Sequence, residues 1–219
     1  MKWYLDFGHG GKDSGALGKN NTKESDIVLK IGLLVKEILE KSNEKVITTR
    51  ENNTYYTLLQ RCTKANKENC DYFISLHMNS STNTSAKGTE TWVYNLTSKI
   101  STLGKNLTSN LSKNLNTPNR GVKESKKFSV LKNTKMPAII IEIDFISNPE
   151  IEDLCKKEDY LQKVAQTIAS TLLNFINKET PPKTPLYKVT IGAFKDKNNA
   201  LKLKNEAISK GFKDTYITT

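Results

Sequence analysis

The chain contains only two histidines, His9 and His77. His9 lies in DFGHGGKDSGALG, where Gly8, Gly10 and Gly11 let the backbone turn tightly and Asp6 and Asp13 bracket the turn with further groups that bind cations. The stretch fits neither a Walker loop, which needs Gly-x-x-x-x-Gly-Lys followed by Ser or Thr, nor a dinucleotide fingerprint opening a helix. A metal is therefore the better candidate ligand than a phosphate. Each histidine is expected just beyond an apolar strand, the position where an open α/β sheet holds its ligands. Two histidines and a carboxylate form one established zinc set that leaves a place for water. Glu24 is close enough to His9 to supply that carboxylate, although a glutamate in the first turn of a helix also serves simply to complement the helix dipole.

Glu142 interrupts an otherwise apolar run, PAIIIEIDFISN. Burying a carboxylate there without a partner is costly. Two readings follow: an ion pair with an arginine or lysine from a neighbouring element, or a general base held beside a metal-activated water.

These residues need a scaffold, and hydrophobic periodicity supplies one. Residues 23–40 read as an amphipathic helix, with Ile27, Ile31, Leu34 and Ile38 on its apolar face. Strands are expected over 45–49, 71–77, 88–94 and 137–143, and helices over 58–67, 100–115 and 158–177. The run 137–143 is apolar throughout up to Glu142, as in a strand covered on both faces. Alternating strands and helices indicate an α/β fold: a twisted, mostly parallel sheet flanked by helices. The three prolines in ETPPKTP mark a semi-rigid linker. The expected organisation is a main domain over 1–178, a linker over 179–186 and a small βαβ module over 187–219.

With 219 residues, 36% hydrophobic and 26% charged, the chain has the composition of a soluble globular protein. The net charge of +11 would attract nucleic acid, anionic membranes or anionic wall polymers. Lysines are scattered and arginine is scarce, unlike a base-reading surface, so a wall polyanion is favoured over nucleic acid and no membrane insertion is expected. Cys62, Cys70 and Cys155 lack metal-site spacing and read as reduced thiols. No basic segment followed by an apolar core opens the chain, so the expectation is synthesis in the cytoplasm and action on the wall after release.

Taken in order, DFGHGGKDSGA, the helix-opening Glu24, SLHMN, GTETW and MPAIIIEIDFISNPE resemble the zinc-dependent N-acetylmuramoyl-L-alanine amidases of the amidase 3 family. The resemblance runs from Met1 to about Asn177. It implies Zn2+ held by His9, Glu24 and His77, with Glu142 as the catalytic glutamate and bacterial peptidoglycan as substrate. Arg50, Arg61, Asn66 and Asn79 match residue types common in the family and are expected to support the site rather than react. Two departures stand out. Phe7 replaces a usual proline, and Ile143-Asp144 replaces small residues, which makes Asp144 a competitor for the base role if the strand continues. The implied reaction is hydrolysis of the bond between N-acetylmuramic acid and L-alanine, as in phage endolysins and autolysins. A peptidase cutting within the stem peptide, or a non-catalytic wall binder, would share much of the pattern. The tail, YKVTIGAFKDKNNALKLKNEAISKGFKDTYI, resembles half of a SPOR peptidoglycan-binding domain. Two chains completing one sheet would give a homo-oligomer through that module.

Overall fold

The computed structural model describes residues 1–179, 190–213 and 215–217. The chain divides into two units, Met1–Thr180 and Pro181–Thr219. In chain order the first contains β1 (Lys2–Phe7), α1 (Glu24–Lys41), β2 (Lys45–Thr48), α2 (Leu58–Glu68), β3 (Tyr72–Asn79) and β4 (Thr89–Val93). It continues with α3 (Ile100–Leu115), β5 (Asn119–Glu124), α4 (Ser129–Lys132), β6 (Ala138–Phe145), α5 (Pro149–Leu154) and α6 (Glu158–Glu179).

The six strands form one sheet in the order β2-β1-β3-β6-β4-β5. All neighbours are parallel except β4 and β6, so β4 and β5 run against the other four strands. β1 has β2 on one side and β3 on the other, so the chain reverses its direction of winding there. The crevice at such a switch point is where α/β sheets take up ligands.

Strand alternation sorts the core into two layers. Trp3, Leu5, Phe7, Ile74, Leu76, Ile139 and Ile141 pack with the apolar faces of α1, α3 and α6. The alternate residues Tyr4, Phe73, Ala138 and Ile140 meet Cys62 and Ala65 of α2 and Val130 and Leu131 of α4. The first face lies under long helices. The second, which also carries Asp6, Ser75, His77 and Glu142 by alternation, is covered only by the shorter α2 and α4 and bears the site. α2 begins with a capping box in which Thr57 accepts from the Gln60 amide and the Gln60 side chain accepts from the Thr57 amide, and this helix turns Arg61 inward.

Three expectations are corrected. His77 stands within β3, which runs on to Asn79, not beyond the strand's end. β5 was not expected, because NRGVKE is an edge strand and carries little apolar signal. In the C-terminal unit the helix forms as α7 (Lys197–Ser209), with Asp196 accepting from the amides of Asn198 and Asn199. The flanking strands of the expected βαβ module do not form among the described residues 190–194 and 215–217. A strand persists only in a ladder, and so short a unit offers little sheet to join. The rest of those strands, and the expected linker apart from Glu179, lie outside the described residues. Among the described residues, no helix is long and apolar enough to cross a membrane.

Candidate metal centre and catalytic site

His9, Glu24 and His77 converge, each offering a ligand atom, with all three atoms within 4.8 Å of one another. Each arrives from a different element: His9 from the loop after β1, Glu24 from the first residue of α1, and His77 from β3. Glu24 Oε1 lies 3.2 Å from His9 Nε2 and 2.9 Å from His77 Nδ1, and the two rings meet edge to face at 4.9 Å. Glu24 is further fixed by the Met78 amide on Oε1 and the Ala16 amide on Oε2. Asp13 Oδ2 lies 2.9 Å from His9 Nδ1, and Asp13 Oδ1 accepts from the Gly15 amide. A carboxylate on the outer ring nitrogen fixes the tautomer and leaves the other nitrogen for a metal.

The glycines of the opening loop make room for these side chains. A Cβ on Gly8 would lie 2.4 Å from His77 Cε1, and one on Gly15 would lie 2.5 Å from Glu24 Oε2. His9 itself takes a left-handed backbone, φ 59°, a conformation that costs energy for a residue with a side chain.

Two buried arginines supply the restraint. Arg50 donates to the carbonyls of Phe7, Gly8, Asn52 and Ser25. Arg61 donates to the carbonyls of Tyr56, Phe7 and His9 and pairs with Asp6 at 2.7 Å. Three successive carbonyls around His9 are thereby tied down. Asp6 does not join the cation-binding group: Arg61, Thr49 and Ser75 all donate to it. At the far end of the loop, buried Glu152 accepts from the amides of Asn20 and Thr22 and so anchors the approach to Glu24.

Glu142 stands beside His77 across the β3–β6 pairing, and Glu90 stands on its other side across β6–β4. Glu142 Oε2 is buried with no hydrogen-bond partner among the described residues. Burial pushes its pKa up to about 7, against the pull of His77. Burial also opposes charge on His77, but Glu24 more than offsets this and raises it to about 9. His9 is raised by Glu24 in the same way. Glu24 is itself held well below the usual carboxylate range, because hydrogen bonds from the two imidazoles outweigh its burial. A negative ligand flanked by two basic imidazoles, with a carboxyl poised near neutrality alongside, suits a divalent cation and a proton-transfer group.

The pattern of the amidase 3 family, described as N-acetylmuramoyl-L-alanine amidase, matches residues 4–174. The chain belongs to this family. It is 34% identical over 215 residues to the sporulation-specific N-acetylmuramoyl-L-alanine amidase of Bacillus subtilis, covering 97% of this chain and 82% of that one. It is 40% identical over 181 residues to the endolysin of Bacillus phage SPP1, covering 80% and 65% respectively. The N-acetylmuramoyl-L-alanine amidase of Clostridium difficile superposes with a TM-score of 0.77 at 31% identity, over 82% of this chain and 98% of the other.

As a family member the chain thus has a twisted, mostly parallel α/β sheet whose switch-point end gathers His9, Glu24, His77 and Glu142. The amidase departure at Asp144 is resolved by its hydrogen bonds. Asp144 Oδ1 accepts from the Gly88 and Phe145 amides, and Oδ2 accepts from the Thr117 hydroxyl, so both oxygens are engaged within the fold rather than free for chemistry. Asn66 ties α2 to the segment after α4 by donating to the Asn133 carbonyl and accepting from the Lys135 amide, and the Asn79 side chain accepts from the Ser80 amide. All three cysteines are free and buried, and burial raises each thiol, Cys155 to about 12. Asp13, expected to bind a cation itself, instead bonds the His9 ring and the Gly15 amide, and Glu152 is a residue for which the sequence assigned no role. Asp13, four residues beyond His9, carried a usable signal; Glu152 acts across 132 positions and carried none.

Proposed function

We propose that the chain hydrolyses the amide bond between N-acetylmuramic acid and L-alanine of peptidoglycan, with zinc held by His9, Glu24 and His77. The observation that carries this is the buried, partnerless Glu142 oxygen beside a convergent His/Glu/His set. Two imidazoles and one carboxylate are a donor set suited to catalytic zinc. When bound, the ion supplies Lewis-acid polarisation of the scissile carbonyl and an acidified water. Glu142 would take a proton from the attacking water and return it to the departing amine of L-alanine. Its pKa near neutrality suits both halves of that task. Asp13 fixes the His9 ring, and Arg50 and Arg61 hold the loop that presents it. The basic balance of +11 favours an anionic wall as the place of action, with the C-terminal unit as an appendage that keeps the enzyme there.

Digestion of purified peptidoglycan, with the new ends identified by mass spectrometry, tests the reading. Free muramic lactyl carboxyls paired with new L-alanine amino termini are expected, lost on chelation and restored by zinc. New ends within the stem peptide would make the enzyme a peptidase, and no cleavage by zinc-loaded protein would leave only binding.

A further inference from the structure

Beyond Glu142 the sheet continues into β4 and its edge strand β5, and there the site-bearing face carries a second polar group. Thr89 pairs with Asn119, but Thr91 pairs with Val122, so β5 spends one residue more than β4 across the same step. This bulge contains Gly121 at φ 78°. Residues 120 and 123 of a regular strand would point to opposite faces. The extra residue instead brings both onto Glu90: Arg120 Nε donates at 2.9 Å and Lys123 Nζ at 2.6 Å to the same oxygen, Oε2. Bulges beside active sites commonly re-aim a side chain in this way.

Glu90 is buried, whereas Arg120 and Lys123 are 39% and 35% exposed. Two cations meet one carboxylate, which leaves an excess positive charge around Glu90, the residue that pairs with Glu142 across β6–β4. Arg120 reaches Glu90 through Nε, so its two terminal nitrogens remain for another acceptor. Its guanidinium lies over the Phe145 ring at 4.9 Å. Lys123 lies 5.1 Å from the centre of the Trp92 ring, whose Nε1 also donates to Glu90, and Phe128 packs edge-on against Trp92. Both cations are therefore held in place without being used up. Glu124, the next acid along β5, instead accepts from the Leu96 amide.

We propose that Arg120 and Lys123 form a subsite for a carboxylate of the stem peptide, which lies across β4 and β5 from the scissile bond at Glu142. The proposal rests on the amidase reading and adds to it a side for the peptide and a preference for acidic stems. It commits to a carboxylate because a planar guanidinium with free terminal nitrogens beside an ammonium matches that group in charge and shape.

Soluble peptidoglycan fragments with free stem carboxylates, and the same fragments amidated, are the probes for steady-state kinetics. Lys123→Gln leaves Glu90 bonded to Arg120 and Trp92, so the fold is kept. It should raise KM for the free-carboxylate fragment about tenfold, the scale of one charge-assisted hydrogen bond, and leave kcat nearly unchanged. The amidated fragment should respond to less than about twofold, and Lys123→Arg should restore the preference. An equal loss on both fragments, or a wild type indifferent to amidation, would overturn the subsite while leaving the amidase intact. Zinc-loaded wild type that cleaves neither fragment would overturn the amidase reading and the subsite with it.

Discussion

Asp6 and Glu142 lie on the same face of this sheet, one fully buried and the other half-buried with one buried oxygen, and their surroundings are opposite. Asp6, on β1, receives hydrogen bonds from Arg61, Thr49 and Ser75, and although burial opposes its charge, Arg61 holds its pKa below the usual range. Glu142, on β6, has a buried oxygen with no partner, and burial pushes it up to about 7. Both pay for desolvation, but only Asp6 is compensated within the fold. Asp6 and Arg61 hold the His9 loop in shape, while Glu142 is left with unspent hydrogen-bonding capacity facing the metal-ligand cluster. The contrast separates a charge that builds the site from one proposed to work in it.

Exchanging the charges one at a time breaks the comparison. Glu142→Gln should lower kcat by about 10²–10⁴-fold, the usual contribution of a general base, without loss of zinc or of thermal stability. A fall in melting temperature matching the loss of activity would instead make Glu142 structural. Arg61→Met should act the other way, costing about 3–5 kcal/mol by stranding buried Asp6, as read by denaturant unfolding. An Arg61→Met protein of unchanged stability would remove Asp6 from the scaffold side of the contrast.

A smaller effect concerns pH. With no metal bound, the His77–Glu24 interaction raises the His77 pKa from 6.5 to about 9. Its stabilisation is therefore complete below about pH 6.5 and lost as pH rises through about 9. Metal needs the neutral imidazole, so zinc affinity should climb over the same window. Melting temperatures of zinc-loaded and chelated protein, taken from pH 6 to 9, should diverge as pH rises. A gap independent of pH would exclude the histidines as ligands.

Much of the working side of this contrast was legible in the sequence. Glu142 stood out because an apolar strand has no ordinary use for a carboxylate, and two histidines near strand ends suggested a metal. Glu24 needed the family resemblance, since a glutamate opening a helix has a simpler explanation. The building side was harder to read. Arg50 and Arg61 were recognisable as residue types, but their bonds run to carbonyls, which leave no mark in sequence. Edge strand β5 stayed hidden because a strand open to solvent alternates only weakly, and with it went the bulge that joins Arg120 and Lys123 to Glu90. The antiparallel placing of β4 beside β6 is a long-range pairing that no local period encodes. In the tail, apolar runs resembling strands found no ladder among the described residues.

The most direct test of the central claim is zinc stoichiometry after equilibrium dialysis, measured on wild type, Glu142→Gln, His9→Ala and His77→Ala with folding checked by circular dichroism. One tightly held zinc per chain is predicted for wild type and Glu142→Gln, and none for either histidine variant. Folded histidine variants that still retain one zinc per chain would contradict the assignment of the metal centre.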